Sequence, residues 1–239
     1  MKKTSVFVMV IVAIGLIVTS CGKGVNTNVG LKSDADSALY ALGTNYGTGL
    51  KEGLKTIPGV GDKVNYDAFL AGLVTAMKDS AKVKMTPEEA ETFFQMYMQE
   101  ASIREANATK AAGEAFLAAN KTKEGVITTE SGLQYKVLTE GTGRRPMSGE
   151  RVIAHYTGKL LDGTVFDSSY DHGEPLRADL TFPGILEGWV EGLQIMPVGS
   201  KYIFWIPSDL AYGEQGGGLI KANSTLEFEI ELLGIQGEE

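Results

Sequence analysis

Across 239 residues the chain has one cysteine and two histidines, which excludes an internal disulfide, a Cys/His zinc site and most histidine-based catalysis. Proline is also scarce, at 7 against 30 glycines, so tight turns are expected and polyproline linkers are not. No G-x-S-x-G, P-loop, cysteine pair or H-E-x-x-H occurs, which leaves no covalent or metal-hydrolytic machinery in view, and no cofactor or metal is expected. Lys and Arg number 22 against 30 Asp and Glu, a formal charge of −8, and this argues against a nucleic-acid partner because phosphate contacts need clustered cations. What remains is an ordinary globular composition, 43% hydrophobic and 22% charged, long enough for one or two domains with real cores.

The first segment is a leader. Lys2 and Lys3 precede an apolar run over residues 6–18, too short for the about 20 residues of a spanning helix and of normal length for a signal peptide. It closes with Val18-Thr19-Ser20-Cys21-Gly22, which resembles the bacterial lipoprotein box. We expect residues 1–20 to be removed and Cys21 to be lipidated; the plainer alternative is an ordinary signal peptide with an incidental thiol. Loss of the two lysines takes the formal charge to −10. Residues 21–33 are small and polar, a flexible tether.

Residues 34–125 carry helical periodicity. Leu39, Leu42, Tyr46, Leu50 and Leu54 share one face, as do Phe69, Leu70, Leu73 and Met77 in a shorter helix capped by Asn65. Thr86-Pro87-Glu88-Glu89 is a capping box with proline at the first helical position. Beyond it, through Asn120, no proline occurs and Gly113 is the only glycine, so a helix approaching about 50 Å is expected. Its first part holds Phe93, Phe94, Met96, Tyr97 and Met98, and residues 101–119 are Ala-rich and polar, which predicts an apolar root and a solvated shaft. The alternative is a helix kinked or broken near Gly113 that folds back onto the C-terminal domain.

From residue 126 to 239 the period changes to two. Leu133, Tyr135 and Val137 alternate with polar residues, as do Tyr202, Phe204 and Ile206, and Leu226, Phe228, Ile230 and Leu232 against Glu227, Glu229 and Glu231. Asp162-Gly163 marks a hairpin, and the one helix-like stretch, residues 186–193, contains Trp189. The fold class is therefore α+β: a helical N-terminal domain, a long connecting helix, and a small antiparallel sheet wrapped on a short helix. Tyr156, Phe166, Asp167, Ile185, Leu186, Trp189, Tyr212 and Phe228 form a set of aromatic and aliphatic residues beside a single acid. Composition alone favours reading each as core.

The order of several longer words decides otherwise. Val152-Ile153-Ala154-His155-Tyr156-Thr157-Gly158, Asp162-Gly163-Thr164-Val165-Phe166-Asp167-Ser168-Ser169, Gly188-Trp189-Val190-Glu191-Gly192 and Leu210-Ala211-Tyr212-Gly213 resemble the FKBP-type peptidyl-prolyl isomerases over residues 130–236. Ala41-Leu42-Gly43, and Gly113-Glu114-Ala115-Phe116-Leu117 leading to Ser131-Gly132-Leu133-Gln134-Tyr135, are similar to the Mip-like and FkpA-like two-domain secreted members. The resemblance implies an FKBP-like fold, isomerase activity on proline-containing polypeptides, and a helical domain that forms a homodimer. It further implies that Trp189 is the floor for the proline ring, that Tyr156, Phe166 and Phe228 are walls, and that Ile185, Leu186 and Ile220 complete the lining with Leu176 and Leu219 at its edge. By the same resemblance the Tyr212 hydroxyl bonds a substrate carbonyl, and Asp167 shapes the field at the rotating carbonyl. The plainer readings are a turn-stabilising carboxylate beside Ser168 and Ser169, and a buried tyrosine satisfied by its own backbone.

Three departures stand out. Leu176 and Ala178 follow Pro175 where many relatives place aromatics, so that side is roomier unless Phe182 fills it. His172 stands where some relatives carry Arg, which removes a fixed charge near Asp167. The loop Glu214-Gln215-Gly216-Gly217-Gly218-Leu219 is short and glycine-rich, and is expected to be mobile. The resulting expectation is a lipid-anchored isomerase of the bacterial cell envelope, periplasm-facing or at the outer membrane. Its alternative is a lipid-anchored chaperone, a holdase that binds unfolded chains with little isomerase activity.

Overall fold

The computed structural model describes residues 27–181 and 183–237. The expected leader, the expected lipidation site Cys21 and the candidate wall residue Phe182 lie outside them. By Cα proximity the chain divides into two compact units: the residues up to Thr56 with Val60–Glu88, and Ile57–Gly59 with Glu89–Glu239.

The first unit holds α1 (Asp34–Lys55) and α2 (Tyr66–Lys78). Each begins where a side chain can satisfy an open amide. Ser33 accepts from the Asp36 N–H at 3.1 Å and Asn65 from the Ala68 N–H at 3.0 Å, while Asp34, Asp36 and Asp67 complement the helix dipoles. Neither helix has a buried residue, and Leu39, Leu42, Tyr46, Leu50, Leu73 and Met77 are exposed in the single chain.

The second unit is built from α3 (Pro87–Asn120) and a seven-stranded antiparallel sheet. The strands are β1 (Val126–Thr128), β2 (Gln134–Thr139), β3 (Arg151–Leu160), β4 (Val165–Ser168), β5 (Leu176–Asp179), β6 (Lys201–Ile206) and β7 (Leu226–Ile235). Their order is β1-β2-β6-β7-β3-β4, with β5 also on β3. The sheet carries α5 (Glu187–Ile195), and a short α4 (Ser169–His172), unseen in the periodicity, follows β4. In β7 the alternation predicted from sequence holds: Leu226, Phe228, Ile230 and Leu232 enter the core with Trp189, Leu193 and Phe204, and the intervening glutamates face outward. The β3–β4 turn is the expected hairpin, with Asp162 Oδ1 accepting from the Thr164 N–H at 2.9 Å and Gly163 at φ 88°.

The solvated shaft needs correction. α3 runs unbroken through Gly113, and its C-terminal half, exposed over most of its length, meets the rest of the second unit at the 221–225 loop and, near its end, at β2 and β6, with Ala101, Gly113 and Asn120 buried. Phe116 packs on Trp205 with ring centroids 6.5 Å apart. Gly113 is not a breaking point but a point of approach, since an added Cβ there would collide with Thr225 Oγ1. At the end of the helix, Gln134 of β2 donates to the Leu117 carbonyl at 2.9 Å and accepts from Asn120 Nδ2 at 3.0 Å. By Cα proximity α3 from Glu89 onward groups with the sheet.

Asn120 is fully buried, and among the described residues Gln134 is the only hydrogen-bond partner of its side chain. Gln134→Leu strands the Asn120 amide and is expected to cost about 1–3 kcal/mol in urea unfolding, whereas Asn120→Leu with Gln134→Leu recovers most of that loss. Equal destabilisation in the single and double variants would refute this reading of the joint.

Candidate functional site

Trp189 lies in the first turn of α5, immediately after Gly188, and its ring is 4% exposed. Two aromatics from the sheet meet it, and a third packs on one of them. Tyr156 of β3 packs edge to face at 5.1 Å and 83°, Phe228 of β7 does so at 5.2 Å and 89°, and Phe166 of β4 meets Phe228 at 5.5 Å and 88°. Such crossed pairs suit the ring quadrupoles, and each is worth about 0.5–1.5 kcal/mol beyond its buried area. Gly158 makes the cluster possible, because a Cβ at that position would come within 2.6 Å of the Phe166 ring and 2.7 Å of the Phe228 ring.

These rings line a cavity of 420 Å³, together with Asp167, Leu176, Ile185, Leu186, Tyr212, Pro183, Gly184 and Ala211. All six residues expected to be catalytic converge there. Of the five expected to bind substrate, Leu176, Ile185 and Leu186 also line the cavity; Ile220 is instead a buried core residue and Leu219 points to solvent at 64% exposure. The reason is local: Gly217 and Ile220 exchange two backbone hydrogen bonds, of 2.8 and 2.9 Å, in a tight turn that directs successive side chains to opposite sides. Pro183, Gly184 and Ala211 were not foreseen, since small and cyclic residues carry no chemical signal of their own.

The polar groups sit at one side. Tyr156 donates its hydroxyl hydrogen to Asp167 Oδ2 at 2.6 Å, and Asp167 Oδ1 faces His172 Nε2 at 3.3 Å. Asp167 is therefore not held by the serine turn. Ser168 accepts from the Tyr170 N–H, and the Ser169 hydroxyl is spent on the Tyr156 backbone. Tyr212 is 43% exposed, and its hydroxyl has no hydrogen-bond partner among the described residues, so it is not a self-satisfied core tyrosine. The indole N–H of Trp189 likewise has none, although it is buried. Burial first, and the Asp167 carboxylate second, raise the Tyr156 hydroxyl well above the ordinary tyrosine range and raise Tyr212 in the same direction. Both hydroxyls are therefore donors at neutral pH, not bases. Among the described residues no group of His, Cys, Asp and Glu is placed to hold a metal ion.

Sequence and fold comparisons give the family. Residues 142–233 match the model for the FKBP-type peptidyl-prolyl cis-trans isomerase domain, and residues 35–137 match that for the domain amino terminal to it. An FKBP-type peptidyl-prolyl cis-trans isomerase FkpA of Aeromonas hydrophila is 44% identical over 86% of this chain and 78% of its own. The chain belongs to the FKBP-type peptidyl-prolyl cis-trans isomerase family. A Legionella longbeachae outer membrane protein MIP is 36% identical over 86% of this FKBP-type chain and 88% of its own. The crystal structure of FkpA from Escherichia coli superposes with a TM-score of 0.71 at 34% identity, covering 86% of this chain and 98% of that one. The amino-terminal family match spans α1 to most of β2, and the isomerase-domain match begins beyond β2.

The raised Tyr156 has a thermodynamic consequence. Folding favours its neutral form, so that contribution is complete below the ordinary tyrosine value of about 10 and is lost as pH rises through the folded value. Stability measured by urea unfolding should fall more steeply above about pH 10 in the natural chain than in Tyr156→Phe. Parallel curves would show that folding does not raise this hydroxyl.

Proposed function

We propose that this protein accelerates rotation about Xaa-Pro peptide bonds in exported polypeptides, by binding the twisted amide in the cavity floored by Trp189. The observation that carries the proposal is an open cavity with apolar aromatic walls, two neutral tyrosine hydroxyls, one carboxylate engaged by Tyr156, and no Ser, Thr, Cys, Lys or His among the described residues of its lining.

The barrier to rotation, about 18–20 kcal/mol, arises from the partial double bond of the planar amide. No bond has to be made or cut. A site need only bind the twisted form better than the planar one, at about 1.4 kcal/mol for each tenfold in rate. In the twisted amide the nitrogen no longer shares its electron pair with the carbonyl, and the group is less polar. Walls that exclude water disfavour the planar, more polar form. The proline ring stacks on Trp189 between Tyr156, Phe166 and Phe228, and the Tyr212 hydroxyl donates to a flanking substrate carbonyl. Asp167 holds Tyr156 in place and sets the field at the rotating carbonyl without exchanging a proton.

The chain is further proposed to be anchored in the cell envelope through lipid on Cys21. None of the described helices is long and apolar enough to cross a membrane. More than one acyl chain is needed for a stable anchor. The helical unit is proposed to form a homodimer, which would cover the exposed apolar residues of α1 and α2. Those same residues favour a second reading, a holdase that captures unfolded chains on this surface.

Isomerisation of short Xaa-Pro peptides by the chain beginning after Cys21 should be lost by about a hundredfold in Trp189→Ala, with no solvent deuterium isotope effect on the natural chain. Full activity in that variant, or an isotope effect above about two, would sink the mechanism. Sedimentation at micromolar concentration should give a dimer, and a monomer would refute the proposed pairing. Suppression of aggregation that survives Tyr212→Phe and Asp167→Val but vanishes on deletion of residues 34–82 would favour the holdase.

A further inference from the structure

Alone among the described non-glycine residues, Asn223 has a left-handed backbone, with φ at 60°. It is 7% exposed and lies in the loop between Tyr212 and β7. Its main-chain N–H donates to the Gly213 carbonyl at 2.8 Å, next to the cavity residue Tyr212. Its side-chain Nδ2 donates the other way, to the Ala106 carbonyl of α3, at 3.4 Å. The residues on either side continue the joint. Lys221 Nζ pairs with Glu105 Oε1 at 2.6 Å, and Thr225 packs on the bare backbone of Gly113. Alternate residues 221, 223 and 225 thus grip one side of α3, while the opposite end of the loop supplies Ala211 and Tyr212 to the cavity.

From this geometry we propose that α3 positions the Tyr212 wall of the cavity, with Asn223 as the connecting positioning residue. The inference rests on the isomerase reading of the cavity and assigns α3 a part in its substrate binding. The physical case is one of restraint. The segment from Glu214 to Gly218 contains three glycines and has little side-chain packing of its own, so its conformational freedom is large. Fastening one end to a helix that is itself packed on β2 and β6 limits where Tyr212 can go. Asparagine suits the fastening point, because it tolerates the left-handed region and still offers a donor to a second chain segment. A helix carbonyl can accept from it, since each carbonyl oxygen has a second lone pair beyond its helical bond.

Asn223→Gly and Asn223→Asp both keep the left-handed backbone and remove the amide donor; Glu105→Gln weakens the neighbouring ion pair from the surface of α3. Amide hydrogen exchange over residues 212–224, and kcat and KM for a short Xaa-Pro peptide, are measured on each, using the chain that begins after Cys21. The expected result is faster exchange in that segment for both Asn223 variants, with KM raised about threefold to tenfold and kcat unchanged, the signature of a lost binding contact worth one hydrogen bond. Glu105→Gln should shift both quantities in the same direction by less. Exchange and KM at natural values in Asn223→Gly would overturn the proposal, as would faster exchange with KM unchanged. Inactivity of the natural chain would overturn the isomerase reading instead, and the exchange rates would still decide whether α3 holds the loop.

Discussion

The site depends on the edge-to-face packing of Tyr156 and Phe228 against Trp189. An indole standing in a β-sheet core is usually covered on all sides, and here two aromatic edges support it while the space beside it stays open. The rings come from β3, β7 and α5, three elements distant in sequence, so the cluster exists only once the sheet has closed over the helix. Gly158 lets the third ring, Phe166, reach Phe228 across β3. Rigidity of these walls matters because a site that discriminates a twisted amide from a planar one by shape must not adapt to both.

Charge plays a secondary part, and its arrangement is economical. One carboxylate, Asp167, serves Tyr156 on one oxygen and faces His172 on the other. Both tyrosines that border the cavity are kept neutral by burial and by that carboxylate. Chemistry by proton transfer would ask for a group poised near neutrality, and burial moves both tyrosines further from it. The second cavity, of 220 Å³, lies behind Tyr156 and Leu176 and is bordered by His172, Glu174 and Arg177. Leucine at 176 leaves the two spaces adjacent.

Much of this was legible in the residues. The change of period after Gly125, the Asp162-Gly163 hairpin and the alternation of β7 follow from side-chain spacing, because a two-residue period and a left-handed turn position leave their marks locally. The words around Tyr156, Phe166, Trp189 and Tyr212 carried the cavity because each is short and continuous. Asn223 left no such mark, since its role depends on the carbonyl of Ala106, 117 residues away. Gln134 was read only as part of a family word, and its bond to Asn120 explains why an amide stands at the start of β2. The polar composition of residues 101–119 misled for a related reason: alanine and glycine can be buried by close approach without a hydrophobic stripe to announce it.

By itself, then, the amino-acid order determined the α+β class, the position of the longer helices and of several strands, the family and the residues that meet around Trp189, because these rest on local periodicity and on contiguous motifs. Only the tertiary structure decided that α3 is joined to the 221–225 loop and, at its end, to β2 and β6, that Ile220 belongs to the core, and that the Tyr212 hydroxyl has no hydrogen-bond partner among the described residues. Those outcomes turn on how closely two backbones approach at Gly113 and Thr225, and on which carbonyl lies opposite one side-chain amide. Distances of that kind are set by the packing of segments remote in sequence, and no local pattern encodes them.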